Sequence, residues 1–425
     1  MKVLLRAATI IDPDSTQGLH KQTKDILLEN GIIKAIADSI DDAKADQVIT
    51  SDSLHVSQGW FDTFAHFCDP GEEYKEDLHS GNQAAAAGGF TSVCLIPSTS
   101  PVLHSKSEIE YIRRKTESYP VEVHPFGAVS RNLKGREITE MVDMRAAGAL
   151  AFTEGAEPLR HPGLMLRSLQ YVKPFNGVII NVPLEKELAG SASIHEGETS
   201  TLMGMPGIPD LAESLMVQRD IELCEYTNSK VHFAMLSTSR AVQQLRKARK
   251  AGIRVTAGVA AYQLLLNDTS VSGFDSLYKV NPPLRGESDR LAILEAVKDG
   301  TIDLVCSNHI PQHEDGKKLE FEYASAGING LETSFAVMNT ALSEIMEVED
   351  RITLLTSGPR KVFGLNNPKI EVGAEASLTL FDPEKEWIPQ ADKLKSRARN
   401  NPFIGKKLKG AVLGICNRGQ FVANV

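Results

Sequence analysis

The sequence predicts an eight-fold α/β barrel, (β/α)8, with a small β-sandwich attached, and three observations carry that prediction. Eight brief apolar runs punctuate the chain, with stretches of helical length and pattern between them. Both ends read differently, as short strands separated by Gly, Asn and Asp turns. The length, 425 residues, exceeds one ordinary core but suits a barrel with an appended small domain.

The runs occupy 60–65, 91–97, 121–129, 149–153, 177–182, 230–236, 254–259 and 302–307. They are rich in Val, Ile and Phe and too short for helices. Helices are expected over 105–117, 163–173, 209–227, 239–251 and 288–298, with Pro209 at a first helical position and Gly252 at a helix end. Strands alternating with helices imply a parallel sheet, and eight such units imply closure into a barrel. At the ends, LLRAATII, DILLEN and GIIKAIAD precede residue 55, and IEVGAEASLTLFD and LKGAVLGICNRGQFVANV follow residue 369. Chain ends often lie close together. Residues 1–55 and 366–425 are therefore assigned to one sandwich, and 56–365 to the barrel.

Hydrophobic residues make up 42% and charged residues 24%, which disfavours disorder. A net charge of −9 argues against general nucleic-acid binding, which needs a basic face. The five cysteines, Cys68, Cys94, Cys224, Cys306 and Cys416, are odd in number and form no C-x-x-C pair, so a reducing compartment is expected. The N-terminal MKVLLRAATII meets Asp12 and Pro13 too early for a signal peptide, and no apolar run reaches membrane-spanning length. These features predict a cytoplasmic protein that binds neither membrane nor nucleic acid.

Catalytic side chains of such barrels sit at the C-terminal strand ends. The first run ends in Phe64, Ala65, His66, Phe67 and Cys68, with positions 64, 66 and 68 on one face if the strand continues. The fourth ends at Glu154, the fifth at Asn181, the sixth at Met235 and the eighth at Cys306, Asn308 and His309.

The segment DTFAHFCDPGEEYKEDLHSGNQAAAAGGFTSVCLIPSTSP resembles the D-x-H-x-H-x-R-x-P-G opening and the A-A-A-A-G-G-F-T stretch of the long bacterial dihydroorotases, within the amidohydrolase superfamily. The resemblance continues through GALAFTEG, HEGETSTLMGMPGIPDLAE, VHFAMLST, KVNPPLR, DGTIDLVCSNHIP, AGINGLETSF, GPRKVFGL and NNPFIGKKLKG. It covers essentially the whole chain in order, which makes it far more specific than a lone motif. It implies the barrel, one or two zinc ions, and hydrolysis or closure of a cyclic amide in pyrimidine biosynthesis.

Carried over residue by residue, the family's histidine ligands fall on Phe64, His66, Asn181 (within one residue) and Met235. Its metal-bridging carboxylate falls on Glu154, its catalytic aspartate on Asn308, and its substrate-binding arginine on Cys68. Its M-P-N-T asparagine falls on Ser98 and the last histidine of its D-H-A-P-H motif on Gln312, beside His313, while Asn281 survives. Cys68, Ser98 and Asn281 are thus the pocket positions. Phe64 offers no lone pair, Met235 is a thioether, and Asn181 and Asn308 are neutral donors, all poor matches to zinc. One carboxylate leaves the roughly four positive charges of a zinc pair largely unbalanced. Without metal no bound water is acidified, and Asn308 cannot act as a base. No cofactor is therefore expected, or zinc if activity survives.

Other readings of these residues stand beside that one. His66 reads as a relic ligand or a packed core histidine, and Glu154 as an acid/base or as a carboxylate paired with a nearby Arg or Lys. His66, Cys68, Met235 and Cys306 could together form a soft-metal site, or the cysteines could be buried small hydrophobes. His309 and His313 read as a residual substrate loop or as a mobile polar surface loop. Three functions follow. The first is a homologue that has lost catalysis and serves as a structural or regulatory partner, with aspartate carbamoyltransferase the partner suggested by the family. The second is an active cyclic amidohydrolase with an atypical metal site. The third is a small-molecule sensor using the old pocket. A homo-oligomer is expected.

Overall fold

The computed structural model describes residues 1–424. Eight short parallel strands form the barrel: Trp60–Ala65, Phe90–Leu95, Glu122–Pro125 continued by Gly127–Ala128, Phe152–Thr153, Ile179–Asn181, Val231–Phe233, Val255–Ala260 and Leu304–Cys306. Each pairs with the next. The third strand breaks at Phe126, whose N–H donates to Leu95, whereas that of Gly127 donates to Ala151, so the strand passes from one neighbour to the other. Closure joins the eighth strand to the first through a parallel bridge between Ala65 and His309. Below that bridge, Asp62 accepts from the Ser307 N–H at 2.6 Å and hydroxyl at 2.8 Å. Burial pushes the Asp62 carboxyl up to about 7, against those hydrogen bonds.

The strands are buried on both faces, which is why they read as apolar runs rather than alternating patterns. The outer helices follow local rules. Helix Ser239–Lys250 is capped by the Thr238 side chain on the Ala241 N–H, buries Ala241, Val242, Leu245 and Ala248, and ends in Lys247, Arg249 and Lys250. That spacing makes one apolar stripe, and the terminal cations complement the helix dipole. Gly252, at φ +79°, takes the left-handed turn that ends this segment. Pro209 proves to be the cap before helix Asp210–Thr227 rather than its first residue, because its ψ of 152° is extended.

Strands from both chain ends share one sheet, in the order Gln420–Ala423, Leu408–Asn417, Leu378–Trp387, His55–Gln58, Lys2–Ile11, Thr23–Glu29 and Ile32–Ala37, with Gln47–Ile49 paired to Lys2–Ile11. The stretch ahead of Leu378 bonds back to Gly31 and Ile33, so the sheet folds over a shared core that includes Leu5, Ile10, Ile26, Val56, Leu378 and Leu380. Trp60 joins this sheet to the barrel. It packs 4.5 Å from Phe335 and 5.3 Å from Phe381, centroid to centroid, and donates to Ser57. Among the described residues, no helix is long and apolar enough to cross a membrane.

Residues 388–407 leave the sheet and dock on the loops that follow the first and eighth barrel strands. Asn400 accepts from the Gln312 N–H and donates to the carbonyls of Ile310 and Gly327. Asn401 donates to the Asn329 carbonyl and the Thr333 hydroxyl. The NNPFIGKK motif therefore ties loops together.

His232, in the sixth barrel strand, is buried and contacts the Thr256 hydroxyl at 2.9 Å. Burial, reinforced by Arg249, depresses its pKa to about 3. Between pH 6.5 and 3 the unfolded chain binds a proton that the folded chain does not, so this group's contribution is complete above 6.5 and is lost as pH falls. His232→Gln is expected to remove about 1.4 kcal/mol per pH unit of acid sensitivity in that window. Urea titrations at several pH values would check this, and an unchanged slope would refute it.

Candidate active site and metal centre

The positions expected to form the site all lie at the C-terminal strand ends, but most of their polar groups are already engaged. Glu154 follows the fourth strand. Its two oxygens accept from the N–H and the hydroxyl of Ser130, each at 2.7 Å. Its partner is thus a serine, not the Arg or Lys considered from the sequence. Burial raises its pKa against those bonds. Asn181, ending the fifth strand, accepts from the Leu159 N–H at 2.8 Å and donates to Asp220 at 2.6 Å. Asp220 is held by Arg219, which also donates to the carbonyls of Leu159 and Arg160. Both ends of the Asn181 amide are therefore committed to one closed network.

Asn308 lies past the eighth strand with φ +43° and donates to the Tyr262 hydroxyl at 2.7 Å. Burial raises the tyrosine's pKa and keeps it neutral. Asn308 also approaches the Asn281 carbonyl at 3.4 Å, and the Asn281 side chain reaches the Ala156 carbonyl. Ser98 presses on the same loop. A Cβ on Gly155 would fall 2.0 Å from its hydroxyl and displace it, and the φ of +72° there favours glycine. Two of the pocket positions, Ser98 and Asn281, thus gather around residues 155–156. Phe64 and Met235 are fully buried apolar side chains.

His66 and Cys68 meet elsewhere in the mouth. The strand stops at Ala65, so the contact does not come from strand alternation as the sequence suggested. Cys68 takes a left-handed conformation, φ +59°, and its Sγ lies 3.4 Å from His66 Nδ1. Their neighbour is Glu72 rather than Cys306, and one donor atom from each of His66, Cys68 and Glu72 lies within 4.8 Å of the others. The soft-metal set inferred from sequence is corrected accordingly: Cys306 Sγ points at the Val259 carbonyl of the adjacent strand. Burial lowers the His66 pKa to about 4 and pushes the Cys68 thiol up.

The loop after the eighth strand also differs from expectation. His309 is fully buried, edge-on to Phe67, and its Nε2 lies 3.5 Å from Glu76, within charge attraction but outside hydrogen-bond geometry. His313 is half-buried and caps the short helix Glu314–Lys317. Glu76, Glu72, Ser130, Asp220 and Tyr262 carry no motif that marks them in the sequence. Only the fold brings them to these positions.

Motifs that survive from the family do structural work here. Arg285, of the N-P-P-L-R stretch, donates to the Ser237 hydroxyl and the Ile208 carbonyl and faces Glu213 at 3.9 Å. Glu213 in turn accepts from the N–H groups of Ser237 and Thr238. Glu332, of the G-L-E-T stretch, accepts from the N–H groups of Lys395 and Ser396. The residues at the family's ligand positions do not fit a zinc pair. One has no lone pair, one is a thioether, one amide and the only carboxylate are bound internally, and Asn308 is a neutral donor held by Tyr262.

Comparison with known proteins agrees with this architecture. The dihydro-orotase-like family model matches residues 55–241. The chain is 37% identical to a dihydroorotase of Syntrophus aciditrophicus over 425 residues, covering 99% of each protein. It is also 37% identical to one of Acetivibrio thermocellus, covering 99% of this chain and 98% of that protein. Among solved structures, the L-hydantoinase (dihydropyrimidinase) of Arthrobacter aurescens superposes with a TM-score of 0.84 at 21% identity, over 99% of this chain and 96% of that one. The dihydropyrimidinase of Brevibacillus agri gives 0.81 at 20% identity, over 100% and 95%. These likenesses in structure show the shared barrel and β-rich domain, and the full-length identity shows more: the chain belongs to the dihydroorotase family.

Proposed function

We propose that this chain is a noncatalytic member of its family, retained as a structural or regulatory partner, and that its partner is an aspartate carbamoyltransferase. The observation that carries the first half is the state of Asn181. Both ends of its amide hold buried structural partners, so it cannot turn to a metal without leaving Leu159 and Asp220 unpaired. Asn308 adds to this. An amide donating to Tyr262 has no basic site with which to take a proton from water or substrate. Cys68, where the family places its arginine, offers no bidentate partner to a substrate carboxylate. The roles of Arg285, Glu332 and Asn400 support a fold kept for its own sake.

The test pairs two measurements on full-length protein. Turnover of dihydroorotate is expected at background, with or without added zinc, and Asn308→Asp alone is not expected to restore it. Co-expression with the aspartate carbamoyltransferase of the same cell should yield one complex by gel filtration. Chelator-sensitive turnover would establish the active reading instead. Ligand-dependent thermal stabilisation with no complex would favour the sensor.

A further inference from the structure

One group of donors in the barrel mouth, which shares only His66 with the family's ligand pattern, has metal-binding geometry. His66 follows the first strand, and the left-handed turn at Cys68 folds the chain back so that the thiol faces the imidazole at 3.4 Å. A tetrahedral zinc-class ion bound at about 2.3 Å to sulfur and 2.0 Å to nitrogen holds those two atoms about 3.5 Å apart. The Glu72 N–H donates to the Cys68 carbonyl at 2.7 Å, which fixes the glutamate above the pair. Its Oε1 meets Lys75 Nζ at 2.7 Å, leaving Oε2 for an ion. The donor atoms of all three residues lie within 4.8 Å of one another.

His66 is 8% exposed, and its Nε2 has no hydrogen-bond partner. The ring's only polar side-chain contact is the one to the Cys68 thiol. An ion between the thiol and the imidazole would take Nδ1, the nitrogen on the Cys68 edge, so the geometry of the three donors carries the site.

We propose that His66, Cys68 and Glu72 form a mononuclear site for a borderline divalent cation of the zinc class. A thiolate and a carboxylate match the charge of one such ion, whereas with Lys75 already beside Glu72 a second ion would leave charge uncompensated in a buried setting. Mixed nitrogen, sulfur and oxygen donors select zinc-like ions over magnesium or calcium. Three protein donors leave a fourth position open to water or a small anionic ligand. Two of the three donors, the thiol and Glu72, lie outside the family's ligand pattern. The site does not depend on the noncatalytic reading above, since it can be occupied whether or not the chain turns over substrate.

Cobalt is the probe. Full-length protein is stripped with chelator and titrated with Co(II), following the thiolate-to-cobalt charge-transfer band. One equivalent is expected to saturate the band, and zinc is expected to displace it. Cys68→Ser should abolish the band and weaken binding by about 100-fold or more. Glu72→Gln, at a half-exposed residue whose loss the fold tolerates, should keep the band but weaken binding at least about tenfold. No saturable band in the unaltered chain, two equivalents at saturation, or binding unchanged in both variants would each overturn the proposal. The readout is optical, so absence of enzyme activity leaves it intact and absence of a band leaves the noncatalytic reading intact.

Discussion

Asn181→Ala is expected to destabilise the chain by about 3–5 kcal/mol, the sum of two buried groups left without partners. The Leu159 N–H loses its acceptor, and Asp220 loses a donor at 2.6 Å while remaining fully buried. Arg219 still holds Asp220, so the loss stops short of a wholly unpaired charge. Burial already raises the Asp220 carboxyl to about 6, opposed by Arg219 and by Asn181. Between its ordinary value of 3.8 and 6 the folded chain binds more protons than the unfolded chain, so this group's contribution falls as pH rises. Removing the Asn181 donor raises the folded pKa further and extends that window upward. The deficit of the variant should therefore be larger at pH 7 than at pH 5. Urea denaturation at both values measures it. A deficit under about 1 kcal/mol at pH 7 would mean that the amide is dispensable to the fold and free to serve as a ligand.

The second large effect is expected at Glu76. This carboxylate has no exposed surface, yet it binds the Ser80 hydroxyl, the Ser396 hydroxyl at 2.5 Å and the Arg397 N–H at 3.2 Å, with His309 3.5 Å away. Burial pushes its pKa up, but His309, Ser396 and Ser80 outweigh burial and hold it below the usual carboxylate range. Its contribution is therefore present above the ordinary value of 4.5 and lost as pH falls through the lowered one. Glu76→Ala leaves those donors unpaired and a hole beside a buried histidine, a loss of about 3–5 kcal/mol. The damage should be local first, because residues 395–397 lose their buried anchor while Glu332, Asp77 and the Glu73 carbonyl still hold them. Faster amide exchange and proteolytic nicking confined to residues 388–407 is the expected signature. Uniform exchange across the barrel would instead mean that Glu76 supports the core rather than the tail.

Much of this chain was legible before its tertiary structure. The barrel could be read because parallel strands buried on both faces are largely apolar, so each of the eight appears as a short apolar run. Helix Ser239–Lys250 could be read because its stripe, cap and terminal cations are all local. The resemblance put the family's histidine ligands on Phe64, Met235 and, within one residue, Asn181.

The tertiary structure decided what the replacements do. Sequence alternation put His66 and Cys68 on one strand face. They do meet, but through the left-handed turn at Cys68, which adds Glu72 and excludes Cys306. Glu154 looked like a free acid or the partner of a cation, and instead accepts twice from Ser130, 24 residues away. His309 looked like part of a mobile loop and lies buried against Phe67 and Glu76. By itself, then, the sequence determined the barrel and its family, because periodic burial and local motifs are written in neighbouring residues. Only the folded chain decided that Asn181 is tied to Asp220 and that three side chains at 66, 68 and 72 converge. Hydrogen-bond partners and donor geometry depend on contacts that turns, caps and strand registers create together, and no single stretch of sequence contains them.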